Sequence, residues 1–267
     1  MTAALQNSSA PLLEAKGLTI IFGGLTAVDD FNLQVPPRSV VGLIGPNGAG
    51  KTTIFNMLTG VYLPTRGELS LNGRTATGAK PYQIAARGIA RTFQNIRLFK
   101  ELSVLDNVRV GFHSRNSYGL AAALLRTEKS RAAEREIEEK ALSLLEIFKL
   151  QDRAGAIAKN LSYGDQRRIE IARALALNPK VLLLDEPAAG MNSKEALTLM
   201  DTIHHLRDRF DLAVVLIEHN MQVVMGICEQ ITVLNYGKTI ASGSAQEVQA
   251  DPKVIAAYLG TEEKIRA

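Results

Sequence analysis

Continuous apolar runs punctuate this chain at Val40-Val41-Gly42-Leu43-Ile44, Val181 to Leu184 and Ala213 to Ile217. A run without polar alternation suits a strand covered on both faces, so the three predict a parallel sheet. Elsewhere the period lengthens. Ile137, Ala141, Leu144, Leu145 and Phe148 recur at helical spacing, as do Ala196, Leu199, Ile203 and Leu206. Apolar-rich segments at Leu12 to Phe22 and Phe31 to Val35 lie around the turn-prone Phe22-Gly23-Gly24, and Glu68 to Leu71 runs into Asn72-Gly73, a hairpin signal. These predict an antiparallel sheet near the N-terminus. Ile231 to Asn235 and Thr239 to Ala241 flank Tyr236-Gly237-Lys238 as a further hairpin, and the segment after Ser244 reads as helical to Leu259. From about Gly78 to Leu150 no comparable strand run occurs, which predicts a helical lobe inserted into an α/β core, with Ser103-Val104-Leu105-Asp106 as a capping box. The expected organisation is one domain over residues 1–267: core at about 12–92 and 168–260, helical subdomain at about 93–167, flexible tails at 1–10 and 261–267.

At 267 residues and 46% hydrophobic content the chain can bury a substantial core. The net charge of +4 comes from 31 basic and 27 acidic residues that are interspersed, which weighs little for or against nucleic acid. Cys228 is the only cysteine, so no intrachain disulfide or cysteine-based metal site exists, and a reducing compartment is expected. The first ten residues lack the charged and apolar regions of a signal peptide, and no stretch approaches the ~18 apolar residues of a membrane-spanning helix. If such a protein serves a membrane, the pore belongs to another chain. No internal repeat or low-complexity tract is present.

The candidate chemistry gathers at the ends of the apolar runs. Gly45-Pro46-Asn47-Gly48-Ala49-Gly50-Lys51-Thr52 fits G-x-x-x-x-G-K-[ST], follows one run, and leads into the helix-compatible Thr53 to Leu58. In this phosphate loop, Gly45 to Thr53, the glycines let backbone N–H groups curl around phosphate oxygens. Lys51 can reach the terminal phosphates, and the Thr52 hydroxyl can ligate Mg²⁺. The loop alone does not separate a kinase, a GTPase and a transporter ATPase. Asp185-Glu186 ends the second run, where parallel strands open onto a ligand crevice. Asp185 fits an acceptor that holds Mg²⁺ through its water shell, and Glu186 a base or water-positioning group. His219 follows the third run and reaches the same sheet edge, whereas His113, His204 and His205 read as structural or merely exposed. Gln94, in Thr92-Phe93-Gln94-Asn95, lies where the chain enters the helical lobe; its amide can contact Mg²⁺ or the attacking water and report γ-phosphate.

Leu161-Ser162-Tyr163-Gly164-Asp165-Gln166 is a variant of the L-S-G-G-Q signature. With the phosphate loop, Gln94, Asp185-Glu186 and His219 in this succession, the chain resembles an ABC transporter ATPase over nearly its full length. The resemblance implies an α/β P-loop NTPase fold, the ABC cassette: a mainly parallel core sheet, an N-terminal antiparallel β-subdomain and an inserted helical subdomain. It implies ATP and Mg²⁺ as cofactors, with Phe22 stacking on adenine, although a core phenylalanine is the alternative. It also implies a head-to-tail dimer in which Ser162 and Gly164 of one cassette meet the γ-phosphate bound by the other. Ser162 would begin the helix carrying Ile169, Ala172 and Leu175, where the helix N-terminus suits an anion.

Finer agreement comes from Gln166-Arg167-Arg168-Ile169-Glu170-Ile171-Ala172-Arg173-Ala174-Leu175, Glu186-Pro187-Ala188-Ala189-Gly190-Met191-Asn192, Phe22-Gly23-Gly24-Leu25 with Ala27-Val28-Asp29, Arg91-Thr92-Phe93-Gln94, and Ala256-Ala257-Tyr258-Leu259-Gly260. These look like the Liv-type G-subunit family of branched-chain amino-acid importer ATPases. Partners implied are a second cassette (a homologue or a copy of itself), two transmembrane permeases and, indirectly, a periplasmic substrate-binding protein, at the cytoplasmic face of the cell membrane and without nucleic acid. Cargo is chosen by those partners. Two departures stand out. Asp165 replaces the usual glutamine and either weakens the signature contact or turns away as Ser162-x-x-Asp165, and Asn192 stands where many ABC ATPases carry aspartate. The alternatives are a lipopolysaccharide-type exporter ATPase and a soluble nucleic-acid ABC protein. The second is disfavoured because Lys51 and Asp185 are not separated by a long coiled coil, and the chain holds one cassette.

Overall fold

The computed structural model describes residues 10–113 and 128–263. Of the expected tails only Ala10 and Thr261 to Glu263 fall within these residues, the latter continuing the last helix. Two sheets organise the chain. Strands β1 (Leu13–Phe22), β2 (Leu25–Val35), β4 (Arg66–Leu71) and β5 (Arg74–Thr75) form an antiparallel sheet in the order β2-β1-β4-β5. A six-stranded sheet runs β10-β9-β3-β8-β7-β6. It comprises β3 (Val40–Ile44), β6 (Ile89–Arg91), β7 (Val181–Asp185), β8 (Ala213–Ile217), β9 (Gln230–Asn235) and β10 (Lys238–Gly243). Its pairings are parallel except that of edge strand β10 with β9.

The unbroken apolar runs are explained by where alternate residues go. Val40, Ile44, Leu182, Leu184, Val214 and Leu216 enter one hydrophobic core, while Val41, Leu43, Val181, Leu183, Val215 and Ile217 enter another. Successive side chains of a strand point to opposite faces, so a strand packed on both sides has no polar positions to offer. The first core is closed by α4 (Glu128–Ile147), α5 (Tyr163–Ala176), α6 (Ser193–Phe210) and α7 (Met221–Ile227), and the second by α1 (Lys51–Leu58) and the antiparallel sheet. Truncating one of the fully buried leucines, Leu182 or Leu184, would cost about 2–5 kcal/mol.

Two expectations are corrected. The region from Gly78 to Leu150 does contain a core strand, β6, which pairs with β7 at the sheet edge. Three residues are too few to show a period. Around it lie α2 (Pro81–Ala86) and α3 (Val104–His113), the latter started by Ser103, whose hydroxyl accepts from the Asp106 N–H at 3.0 Å and donates to the Asp106 carboxylate at 2.6 Å. The helix expected after Ser244 is two, α8 (Ala245–Ala250) and α9 (Pro252–Glu263), broken at the extended Asp251 because Pro252 disfavours helix in the residue before it. Among the described residues no helix is long and apolar enough to cross a membrane.

Candidate active site

Because β3, β6, β7 and β8 are parallel, their carboxyl ends share one edge. That edge receives the phosphate loop after β3, Thr92 to Gln94 after β6, Asp185-Glu186 at the end of β7, and Glu218-His219 after β8. The loop is pressed against the sheet: Gly45 has φ 151°, and a Cβ there would lie 2.2 Å from the Leu234 carbonyl oxygen. Gly237 N–H donates to the Ala49 carbonyl at 2.9 Å, and the half-buried Tyr258 of α9 lies beside the Gly45 N–H. Helix α1 starts at Lys51 behind Gly50, which has no side chain to cap the first turn, so the turn's N–H groups suit an anion. Lys51 is buried and its Nζ donates to the carbonyls of Gly45 at 2.6 Å and Pro46 at 2.9 Å. Burial depresses its pKa, opposed by the nearby charges of Glu186 and Asp185. Of the other loop residues, Asn47, Gly48 and Thr52 are exposed, while Pro46 and Thr53 are half-buried.

Asp185 is 1% exposed and is divided between two roles. Its Oδ2 accepts from Arg91 Nη2 at 2.8 Å, and its N–H donates to Thr92 Oγ1 at 3.2 Å. Oδ1 is buried with no hydrogen-bond partner. An orphaned buried acceptor costs on the order of 1–3 kcal/mol, so this oxygen fits the water shell of a cation bound beside the phosphate loop. Arg91 is itself fixed, donating to Asn56 Oδ1 at 2.6 Å and lying over the rings of Phe55 and Phe93.

Three of the residues singled out from sequence meet. Glu186 Oε2 accepts from Gln94 Nε2 at 3.0 Å, and Glu186 Oε1 contacts His219 Nε2. Glu186 stands at φ 49°, a left-handed conformation uncommon for a residue with a side chain, secured by its N–H donating to Ile217 O at 2.9 Å. Ser162 and Gly164 do not join this cluster. Ser162 is the exposed N-cap of α5, and its hydrogen bonds among the described residues stay within that helix, to Asp165 N and Gln166 N. A Cβ on Gly164 would meet nothing within 4 Å, so this face stands open. Phe22 is 44% exposed and packs edge-on against Tyr62 at 5.3 Å between ring centroids, which excludes the core alternative and leaves a flat apolar face in solvent.

Both departures have structural explanations. The Asp165 carboxylate is drawn to Arg153 at 2.6 Å and Arg168 at 3.3 Å. Asn192 caps α6 in a reciprocal box with Glu195, a job asparagine does as well as aspartate.

A buried ion pair that no motif announces lies beside these residues. Arg167 and Glu170 are 0% and 2% exposed and meet at 2.7 Å. Arg167 also donates to the carbonyls of Phe93 and Gln94 at 2.5 and 2.8 Å, while Glu170 Oε1 accepts from Phe93 N and Arg97 N at 3.4 and 3.2 Å. The signal in the sequence is a pair of opposite charges one turn apart, with the glutamate set between Ile169 and Ile171.

A model described as ABC transporter matches residues 28–189. The chain belongs to this family. A second model, branched-chain amino acid ATP-binding cassette transporter, matches residues 238–264 of the cassette. The cassette is 47% identical over 252 residues to the high-affinity branched-chain amino acid transport ATP-binding protein LivG of Escherichia coli K12, covering 94% of this chain and 99% of that one. The lipopolysaccharide export system ATP-binding protein LptB of Acidithiobacillus ferridurans is 38% identical, over 95% of the cassette and 99% of that protein. Among solved structures, an ATP-binding cassette of an ABC transporter in its ADP conformation superposes with a TM-score of 0.82 at 30% identity, covering 94% of this chain and 100% of that one. A dimeric cassette in a post-hydrolysis state, bound to ADP and Pi, gives 0.73 at 26% identity, over 87% of this chain and 98% of that one.

Proposed function

We propose that this cassette is the ATP-hydrolysing motor subunit of an importer for branched-chain or closely related amino acids. The observation that carries the reading is the meeting of Gln94, Glu186 and His219 beside the phosphate loop, in a chain more similar to LivG of Escherichia coli, at 47% identity, than to LptB of Acidithiobacillus ferridurans, at 38%. In this reading the loop N–H groups and Lys51 cradle the triphosphate, and Phe22 offers its exposed face to adenine. Thr52, Gln94 and the free Oδ1 of Asp185 would hold Mg²⁺, which would supply charge compensation for the phosphates. Glu186 orients the attacking water or takes its proton. His219 and Gln94 hold the Glu186 carboxylate from either side, the latter from the entry to the helical lobe.

Ser162 and Gly164 face outward, which suits contact with the triphosphate held by a second cassette, a homologue or a copy of this one. ABC cassettes work with transmembrane permease subunits; here two permeases, served by a periplasmic substrate-binding protein, would carry the cargo, with the cassette at the cytoplasmic face of the cell membrane. No nucleic acid takes part. The test is reconstitution with the permeases that copurify. ATP-dependent uptake of labelled leucine, isoleucine or valine into proteoliposomes is the expected result. ATP-dependent release of lipopolysaccharide instead would replace the importer with the exporter reading.

A further inference from the structure

Glu218 closes the run Ala213 to Ile217 with a carboxylate that is 3% exposed. Its two oxygens serve different loops. Oε1 accepts from the Ala188 N–H at 2.7 Å, two residues beyond Glu186, and Oε2 accepts from the N–H groups of His219 at 3.1 Å and Asn220 at 3.5 Å. We propose that Glu218 is a positioning residue for hydrolysis, holding the loop that follows Glu186 and the loop that carries His219 in fixed register so that the two side chains meet. This rests on the roles given above to Glu186 and His219.

Glu186 and His219 approach from separate strands, and His219 is 44% exposed on its side chain, so little packing aims the imidazole. The backbone of each loop must therefore be set from below. Glu186 N–H is tied to Ile217 O, and Glu218 supplies the corresponding tie for Ala188, His219 and Asn220. Hydrogen bonds from backbone N–H groups to a carboxylate are among the stronger ones available to a protein. Burial raises the pKa of Glu218 while these three amides oppose the rise. Glutamine would fill the same volume but keep a single acceptor oxygen. Its NH₂ would then face an N–H donor, so it could serve one loop and not both.

The experiment compares Glu218→Gln and Glu218→Ala with the wild-type and Glu186→Gln chains, each full length and reconstituted with its permeases. Fluorescent-nucleotide binding, steady-state ATP hydrolysis and amide exchange are measured on all four. The expected result for Glu218→Gln is a tenfold or greater fall in kcat with nucleotide affinity within threefold of wild type. Amide exchange should rise at Ala188, His219 and Asn220 but not in β3, β7 or β8. Wild-type kcat in Glu218→Gln would overturn the proposal, as would equal losses of affinity and turnover with exchange raised throughout the sheet, the pattern of a purely structural residue. Glu186→Gln separates the two readings. If it still turns over, the assignment of the site fails; if it is inactive while Glu218→Gln is not, only the positioning role fails.

Discussion

Asp165 Oδ2 lies 2.6 Å from Arg153 Nη1, so the carboxylate beside Ser162 is spent on the helical lobe. Its side chain is 13% exposed, and Arg168 approaches the other oxygen. A charge paired in this way presents little field to a triphosphate docking on Ser162 and Gly164. Asp165→Gln, which restores the usual signature residue, should leave ATP hydrolysis within about twofold of wild type. It should lower stability by only ~0.5–1 kcal/mol, since Arg153 is largely exposed and solvent screens the pair. Hydrolysis assays and urea titrations check both; a severalfold gain in turnover would mean that Asp165 opposes the partner's nucleotide.

Glu186→Gln should bind ATP and accumulate as a dimer, because the amide keeps a partner for Gln94 but loses the carboxylate that orients or deprotonates water. Turnover should drop by about 10²-fold or more, the scale of general-base catalysis. Light scattering after gel filtration in MgATP is the direct measurement, and normal multiple-turnover hydrolysis would remove Glu186 from its role.

The buried pair Arg167 and Glu170 separates stability from packing. Arg167→Met strands a carboxylate that is 2% exposed, and should cost about 3–5 kcal/mol. Arg167→Met combined with Glu170→Met removes both charges and should recover most of that loss. Denaturant midpoints give the answer. If the double variant binds nucleotide but hydrolyses slowly, the pair's use lies in holding Phe93 and Gln94 to α5 rather than in stability.

Cys228 is buried, and burial with the charges of Glu218 and Glu229 pushes its thiol up to about 12. The native protein should therefore resist alkylation at pH 7–8 and react only on unfolding, because the thiolate is the nucleophile. Mass-spectrometric counting of iodoacetamide adducts, with and without denaturant, tests this.

The main sheet was legible because β3, β7 and β8 are covered on both faces and so read as unbroken apolar runs. Strand β6 was not, being three residues long. The site was legible to the extent that its residues sit at strand ends: Lys51, Asp185, Glu186 and His219 follow from that rule, and the meeting of Gln94, Glu186 and His219 follows from parallel strands sharing an edge. Arg91, Arg167, Glu170 and Glu218 escaped because their work is done on atoms distant along the chain. Arg91 reaches Asp185, Arg167 grips carbonyls near Gln94, and Glu218 holds an amide beyond Glu186. A string of residue types does not carry that information.

The phosphate loop also leans on chain that follows His219, the last of the site residues. Gly237 holds Ala49, and Tyr258 lies beside the N–H of Gly45. Both lie in or against residues 238–264, the C-terminal stretch that the branched-chain amino acid cassette family model matches. Exchanging that stretch between cassettes of different transport classes would therefore alter the grip on nucleotide without touching Lys51, Gln94, Ser162, Asp185, Glu186 or His219, and chimeras built on those residues' boundaries would confound cargo class with ATP affinity.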